Sequence, residues 1–236
     1  MVLELKNVSA GYGVLQILWG ISLKVDDGEF VSLIGPNGAG KTTCLKAIAG
    51  LINTSEGEIN FFDKKINKML PSAITAMGLS FITEGGCLFT GMTVEENLRL
   101  GAFILRDKKK IMQLEDFVLD LFPRLAERKK QLAGNLSGGE RKMLSIARGL
   151  MSNPKILLVD EPSLGLAPNL VDTVFEALIT LNKQGVTILL VEQNVHTTLE
   201  ITDRTYVIEH GRICMQGLSS EMLENDHVIS CYLGIA

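Results

Sequence analysis

No apolar run in this chain is long enough to cross a bilayer. The most apolar stretches, Ile156 to Val159 and Val186 to Val191, have strand length, against the roughly 20 residues that a spanning helix needs, so a soluble chain is expected. An excess of positive charge is also missing: 23 Lys and Arg against 27 Asp and Glu leave a net charge of −4, which argues against a nucleic-acid partner. The short basic clusters Lys108 to Lys110 and Arg128 to Lys130 read as solvated helix faces. Cys44, Cys87, Cys214 and Cys231 lack metal-type spacing, which suits reduced thiols in a cytosol better than disulfides. His196, His210 and His227 are equally dispersed, which argues against a histidine metal site. The N-terminus alternates Leu3 and Leu5 with Glu4 and Lys6 rather than placing an apolar segment after a basic one, so no secretory signal is expected. No internal repeat or low-complexity tract is visible.

What is present is a 46% apolar composition over 236 residues, enough for one large domain with a substantial core. From Leu3 to Ile34 the pattern is strand-like, with Asp26-Asp27-Gly28 as a turn before Phe30 to Ile34. A helix is expected over Thr42 to Leu51, then strands at Gly57 to Phe62 and Leu79 to Ile82. Near Leu88 the character changes. Thr93-Val94-Glu95-Glu96 is a capping box, and Ile111 to Leu125 carries apolar residues at helical spacing, so the middle third reads as an all-helical insert. From Pro154 onward strands at Ile156 to Val159 and Val186 to Val191 alternate with helices around Leu170 to Lys183 and Val195 to Thr202. A hairpin of Tyr206 to Ile208 and Arg212 to Gln216 about His210-Gly211 follows. Such alternation predicts a parallel sheet flanked by helices.

Directly after the strand Phe30 to Ile34 comes Gly35-Pro36-Asn37-Gly38-Ala39-Gly40-Lys41-Thr42-Thr43, which fits G-x-x-x-x-G-K-[ST]. Its glycines let successive N–H groups point at phosphate oxygens, and the helix opening near Lys41 aims its positive end at the same anion. Lys41 is expected to reach the β- and γ-phosphates and Thr42 to ligate Mg²⁺. The second motif is Ile156-Leu157-Leu158-Val159-Asp160-Glu161: a buried strand with two carboxylates at its C-terminal end, where α/β sheets place ligands. Asp160 is expected to hold Mg²⁺ and Glu161 to polarise a water against the γ-phosphate.

Upstream of Asp160 lies Leu136-Ser137-Gly138-Gly139-Glu140, followed by a helix with Met143, Leu144, Ile146, Ala147, Leu150 and Met151 on one face. It makes a second anion-binding helix end. The segment resembles the signature sequence of ATP-binding cassette (ABC) proteins, and the resemblance covers essentially the whole chain. It implies an α/β fold: a RecA-like P-loop NTPase core of parallel strands with an N-terminal antiparallel β subdomain and an inserted helical signature subdomain. The implied division is one domain over 1–236, with 1–87 and 151–236 as core and 88–150 as insert. In that family Leu136 to Glu140 serves the nucleotide of a partner subunit. Tyr12 matches the aromatic residue that stacks on adenine. Glu84 stands where the family usually has glutamine and is implied as a further Mg²⁺ ligand; Gln193 stands at the place of a switch histidine, with a catalytic role implied. Ala167 replaces an aspartate that reaches across the dimer.

These departures, Glu84-Gly85, Glu161 to Pro168 and Val191-Glu192-Gln193-Asn194, resemble the ATP-binding subunits of branched-chain amino acid uptake systems, although Gly86 stands where that group often has arginine. The resemblance implies an ATPase of an importer, peripheral on the cytoplasmic face of the membrane, with ATP and Mg²⁺. Its implied partners are a second, different cassette subunit, two permease subunits and an extracytoplasmic solute-binding protein. Alternatives are the ATPase of an export system such as lipopolysaccharide export, and a non-transport cassette protein in DNA repair or translation. The latter carry a long coiled coil or two cassettes, and neither feature is present.

Overall fold

A computed structural model describes residues 1–225 and 228; His227 and Cys231 lie outside the described residues. Strands β1 (Leu3–Tyr12), β2 (Leu15–Val25) and β3 (Phe30–Ile34) come first, then helix α1 (Lys41–Ile48), β4 (Thr54–Phe61), β5 (Lys64–Lys65), α2 (Pro71–Ala76) and β6 (Leu79–Ile82). Four helices follow, α3 (Val94–Gly101), α4 (Lys108–Leu121), α5 (Pro123–Glu127) and α6 (Gly138–Leu150). The chain then alternates β7 (Ile156–Asp160), α7 (Pro168–Lys183), β8 (Thr187–Glu192) and α8 (Val195–Ile201), before β9 (Arg204–Glu209), β10 (Arg212–Leu218) and α9 (Ser219–Leu223).

The strands form two sheets, ordered β2-β1-β4-β5 and β10-β9-β3-β8-β7-β6. The first is antiparallel. In the second, β6, β7, β8, β3 and β9 run parallel, with β10 added antiparallel at one edge. The β-rich opening is therefore divided: β1 and β2 belong to one sheet and β3 to the other.

The uninterrupted apolar runs of β7 and β8 have a structural cause. Ile156 and Leu158 of β7 and Leu189 and Val191 of β8 face the core shared with α1 and the antiparallel sheet. Leu157 and Val159, with Ile188 and Leu190, face the core built on α3, α4, α6 and α7. A strand covered on both faces has no polar side, and each such side chain contributes about 1.5–3 kcal/mol on full burial.

Several boundaries depart from the expectations. The helix expected over Thr42 to Leu51 runs Lys41–Ile48, with Gly50 already in the left-handed region at φ 72°. The strand expected at Gly57 begins at Thr54 and stops at Phe61, because Phe62 and Asp63 turn with φ of 44° and 60°. The expected helix over Ile111 to Leu125 is two helices, since Phe122 precedes Pro123 and leaves the helical region at φ −127°, ψ 75°, as crowding by the proline ring requires. In the middle third the regular structure is helical and joined by turns, with an isolated bridge between Thr93 and Leu132 and a 3-10 turn at Ala133–Asn135. Arg128 to Lys130 also departs from a solvated helix face. It follows α5 as a turn, and Arg128, Lys129 and Lys130 pair with Glu140, Glu115 and Glu95.

Candidate nucleotide site

The loop from Gly35 to Gly40 leaves the C-terminal end of β3 at the centre of the parallel sheet and enters α1. Gly35 is required by proximity, since a Cβ there would lie 2.1 Å from the carbonyl oxygen of Ile208. Gly40, the residue before α1, has φ 109°, which side-chain-bearing residues rarely adopt. The hairpin between β9 and β10 supports the loop from below: the N–H of Gly211 donates to the Ala39 carbonyl at 2.9 Å. That prop was not singled out by the sequence, which marked His210-Gly211 only as a turn.

Lys41 opens α1 and is buried at 4% exposure. Its ammonium donates to the carbonyls of Gly35 at 2.9 Å and Pro36 at 3.2 Å, and lies 3.5 Å from the Glu161 carboxylate. It is thus held over the loop mouth by carbonyls that an anionic phosphate can outcompete. The Thr42 hydroxyl donates to Asp160 Oδ1 at 3.0 Å, joining the first motif to the second. Thr43 is buried beneath them.

Asp160 ends β7 and is buried. Burial pushes its carboxyl up to about 6, with the charges of Glu161 and Glu84 adding to the rise and the Thr42 hydrogen bond and Lys46 opposing it. A carboxylate beside a hydroxyl, with neighbouring acids insufficiently balanced, is a hard oxygen donor set suited to a divalent cation such as Mg²⁺. Glu161 follows in the left-handed region, φ 44°. One of its carboxylate oxygens faces Lys41; the other accepts from Gln193 Nε2 at 2.5 Å. Gln193 itself is exposed just beyond β8.

Tyr12 ends β1, half exposed, with the Lys46 ammonium of α1 5.9 Å from its ring centroid. An aromatic face therefore stands beside the same helix that carries Lys41 and Thr42. Glu84 is exposed after β6; its charge is felt at Asp160.

Leu136 to Glu140 is placed elsewhere. Among the described residues no hydrogen bond joins these five to the 35–43 loop. Leu136 is buried; Ser137 caps α6, its hydroxyl accepting from the Glu140 N–H at 3.3 Å while the Glu140 carboxylate accepts from the Ser137 N–H at 2.8 Å. This second capping box was legible as S-x-x-E and was missed. Arg128 pairs with Glu140 at 2.7 Å, so the helix end keeps little net negative charge of its own. A Cβ on Gly138 would meet nothing within 4 Å, whereas one on Gly139 would lie 2.4 Å from Leu170 Cδ1. The open side of the helix start is thus at Gly138.

Two further buried charges stand beneath the site and were not foreseen. Glu192, at 1% exposure, accepts from the Ser163 N–H at 2.8 Å, the Ser163 hydroxyl at 2.9 Å and the Gln193 N–H at 2.9 Å. Lys142, at 7% exposure on α6, donates to the carbonyls of Glu84 at 2.6 Å and Glu161 at 3.2 Å. Lys142 belongs to no pattern visible along the chain; Glu192 lies in the segment Val191 to Asn194 that carries the resemblance, but nothing in that segment points to its burial or its partners.

A Gly-rich loop between a buried strand and a helix, with its threonine bonded to a carboxylate at the end of a neighbouring strand, defines a P-loop nucleotide-binding protein. A family model described as ABC transporter matches residues 18–164. The high-affinity branched-chain amino acid transport ATP-binding protein BraG of Pseudomonas aeruginosa is 45% identical, over 99% of this chain and 100% of its own length. The lipopolysaccharide export system ATP-binding protein LptB of Escherichia coli is 32% identical, over 98% of this chain and 97% of its own. The crystal structure of the ADP conformation of an ATP-binding cassette of an ABC transporter matches with a TM-score of 0.86 at 29% identity, covering 99% of both chains. The chain belongs to the ABC transporter family. It is an ATP-binding cassette subunit that hydrolyses ATP.

Proposed function

We propose that this cassette energises an importer of branched-chain amino acids from the cytoplasmic face of the membrane. The reading is carried by the full-length likeness to BraG at 45% identity. It is supported by the Glu192-Gln193 pair, whose side chains engage Ser163 and Glu161. Among the described residues no helix is long and apolar enough to cross a membrane, so the route for the solute is assigned to separate permease subunits.

In this reading ATP binds over residues 35–43, with its adenine on Tyr12 and its phosphates taking the place of the Gly35 and Pro36 carbonyls at Lys41. Thr42 and Asp160, with Glu84 as a further ligand, hold Mg²⁺, whose charge offsets that of the phosphates. Glu161 receives a proton from the attacking water, oriented by Gln193. The open helix start at Ser137 and Gly138 serves the γ-phosphate of a nucleotide held by a second cassette. ATP favours the closed pair because only that state satisfies both ends of the phosphate chain, and hydrolysis removes the difference.

The insert over residues 88–150 joins the core over 1–87 and 151–236 along a groove of roughly 480 Å³, lined by Leu51, Phe81, Cys87, Phe89, Leu100 and Arg148. We assign it to a permease segment. Because Gln193 cannot be protonated as a histidine can, and Ala167 cannot make a charged contact, the second cassette is taken to be a different chain. A solute-binding protein outside the membrane completes the system.

Copurification from membranes tests the partners: two different permeases and a second cassette are expected. In vesicles containing that complex, a branched-chain amino acid with its binding protein should raise ATP turnover. Two copies of this chain with no other cassette would overturn the pairing. Turnover stimulated by a lipid-linked polysaccharide instead would favour the export reading, which the likeness to LptB supports.

A further inference from the structure

We infer that Lys142 is a positioning residue for hydrolysis: its ammonium fastens helix α6 to the main chain of Glu161 and of Glu84, and so aims the Glu161 carboxylate. The inference rests on the reading of Glu161 as the base. It adds a residue outside the phosphate loop, the carboxylate strand and the signature segment.

A lysine at 7% exposure loses hydration on burial, and such a group persists where its donors are satisfied. Burial holds its pKa below the usual lysine range, against the raising charges of Glu192, Glu84, Asp160 and Glu161. Its hydrogen-bond partners are two backbone carbonyls from segments far apart in sequence, 2.6 Å away on Glu84 and 3.2 Å away on Glu161. An ammonium with three donors can hold both at once, which an apolar side chain of equal length cannot.

The Glu161 end explains why a fastening is required. Its φ of 44° lies in the left-handed region, which a non-glycine residue adopts at a cost of order 1–3 kcal/mol and keeps only when its surroundings over-determine it. Its N–H donates to the Val191 carbonyl at 2.8 Å. The next residue is Pro162, which has no N–H to offer. The Glu161 carbonyl, which accepts from Lys142 at 3.2 Å and from the Leu164 N–H at 3.3 Å, is therefore the second fixed point of this residue, and Lys142 is its only tie to α6 among the described residues. With both points held, the side chain emerges between Lys41 at 3.5 Å and Gln193 at 2.5 Å. Removing the ammonium leaves that carbonyl on the Leu164 N–H alone and loosens the carboxylate, and misplacement of a reacting group by 1 Å costs on the order of 10²-fold in rate.

Lys142 also lies in the second turn of the helix capped by Ser137. Displacement of that helix start is thus passed as a pull on the Glu161 carbonyl and on the Glu84 loop beside the groove. Lys142 connects the surface assigned to the second cassette with the base and with the loop nearest the permease groove.

The test uses the full chain with its partner subunits and compares Lys142→Met, Lys142→Gln and Lys142→Arg. Lys142→Met should lower kcat by about 10- to 100-fold, with ATP affinity by calorimetry changed less than about threefold. Lys142→Arg, which keeps the charge and the donors, should recover at least about tenfold over Lys142→Met. The deciding readout is the double variant with Glu161→Gln under single-turnover conditions. If Lys142 acts through Glu161, Lys142→Met costs little more in that background; a further full loss there overturns the inference. Should Lys142→Met not fold, Lys142→Gln carries the same cycle, because its shorter, uncharged amide cannot span both carbonyls. Full turnover by Glu161→Gln alone would instead show that the reading of the base has failed.

Discussion

Gln193 Nε2 and Glu161 Oε2 lie 2.5 Å apart, so the residue in place of the usual switch histidine already touches the carboxylate assigned as base. A neutral amide orients that carboxylate at every pH, whereas an imidazole would change charge near pH 6.5. Glu161→Gln should therefore bind ATP as the parent does and lose hydrolysis by about 10² to 10⁴, the contribution of a positioned general base. The complex should remain closed on ATP, read as an ATP-dependent association on sizing. Turnover within a few-fold of the parent would remove Glu161 from the role.

Lys41→Ala should act on binding instead. The ammonium sits at 4% exposure over the Gly35 and Pro36 carbonyls, and removing it takes a charge from a partly desolvated phosphate site. ATP affinity should fall more than ADP affinity, because ADP places one fewer phosphate near the ammonium. Calorimetry showing equal ATP affinity would contradict the assignment.

Gly138→Asp places a carboxylate where the helix start is open, with no atom within 4 Å of the new Cβ. It should fold, bind ATP at its own loop unchanged, and fail to close on the partner's nucleotide. Loss of ATP affinity in the isolated chain would overturn the assignment to a second cassette.

Asp160 should make the nucleotide-free protein pH-dependent. Burial raises its carboxyl to about 6 in the folded chain from the ordinary 3.8 of an exposed aspartate, so between these values the folded state holds the proton that the unfolded chain has released. Stability from this group is greatest below pH 4 and declines as pH rises through 4 to 6, by roughly 3 kcal/mol at most. Asp160→Asn should flatten that decline in urea titrations across the same range. An unchanged profile would show that Asp160 is not the cause.

Much of the site was legible because it is local. Gly35 to Thr42 and Ile156 to Glu161 are short segments in which strand, turn and helix start follow within a few residues, and each motif carries its chemistry on that spacing. The capping box at Ser137 and Glu140 was equally legible as S-x-x-E, although its two central glycines serve the helix start as well. The break at Phe122 was available too, in Pro123. Lys142 and the contacts of Glu192 were not: one is a polar position on an otherwise apolar helix face, the other the buried acid that closes β8. Their partners lie on segments remote in sequence.

The sequence by itself determined the strand–loop–helix around Gly35 to Thr42, the two carboxylates closing β7 and the alternation of strands and helices, because periodicity and turn chemistry act over a few residues; the family followed from the resemblance of its short motifs. Only the tertiary structure decided which sheet each opening strand joins, that the β9–β10 hairpin props the loop, and that Gln193 and Lys41 meet on Glu161. It also decided that a lysine on α6 holds the main chain of Glu161. Those contacts depend on the order β9-β3-β8-β7 and on helices folded against two faces of one sheet, relations between distant segments that no local pattern encodes.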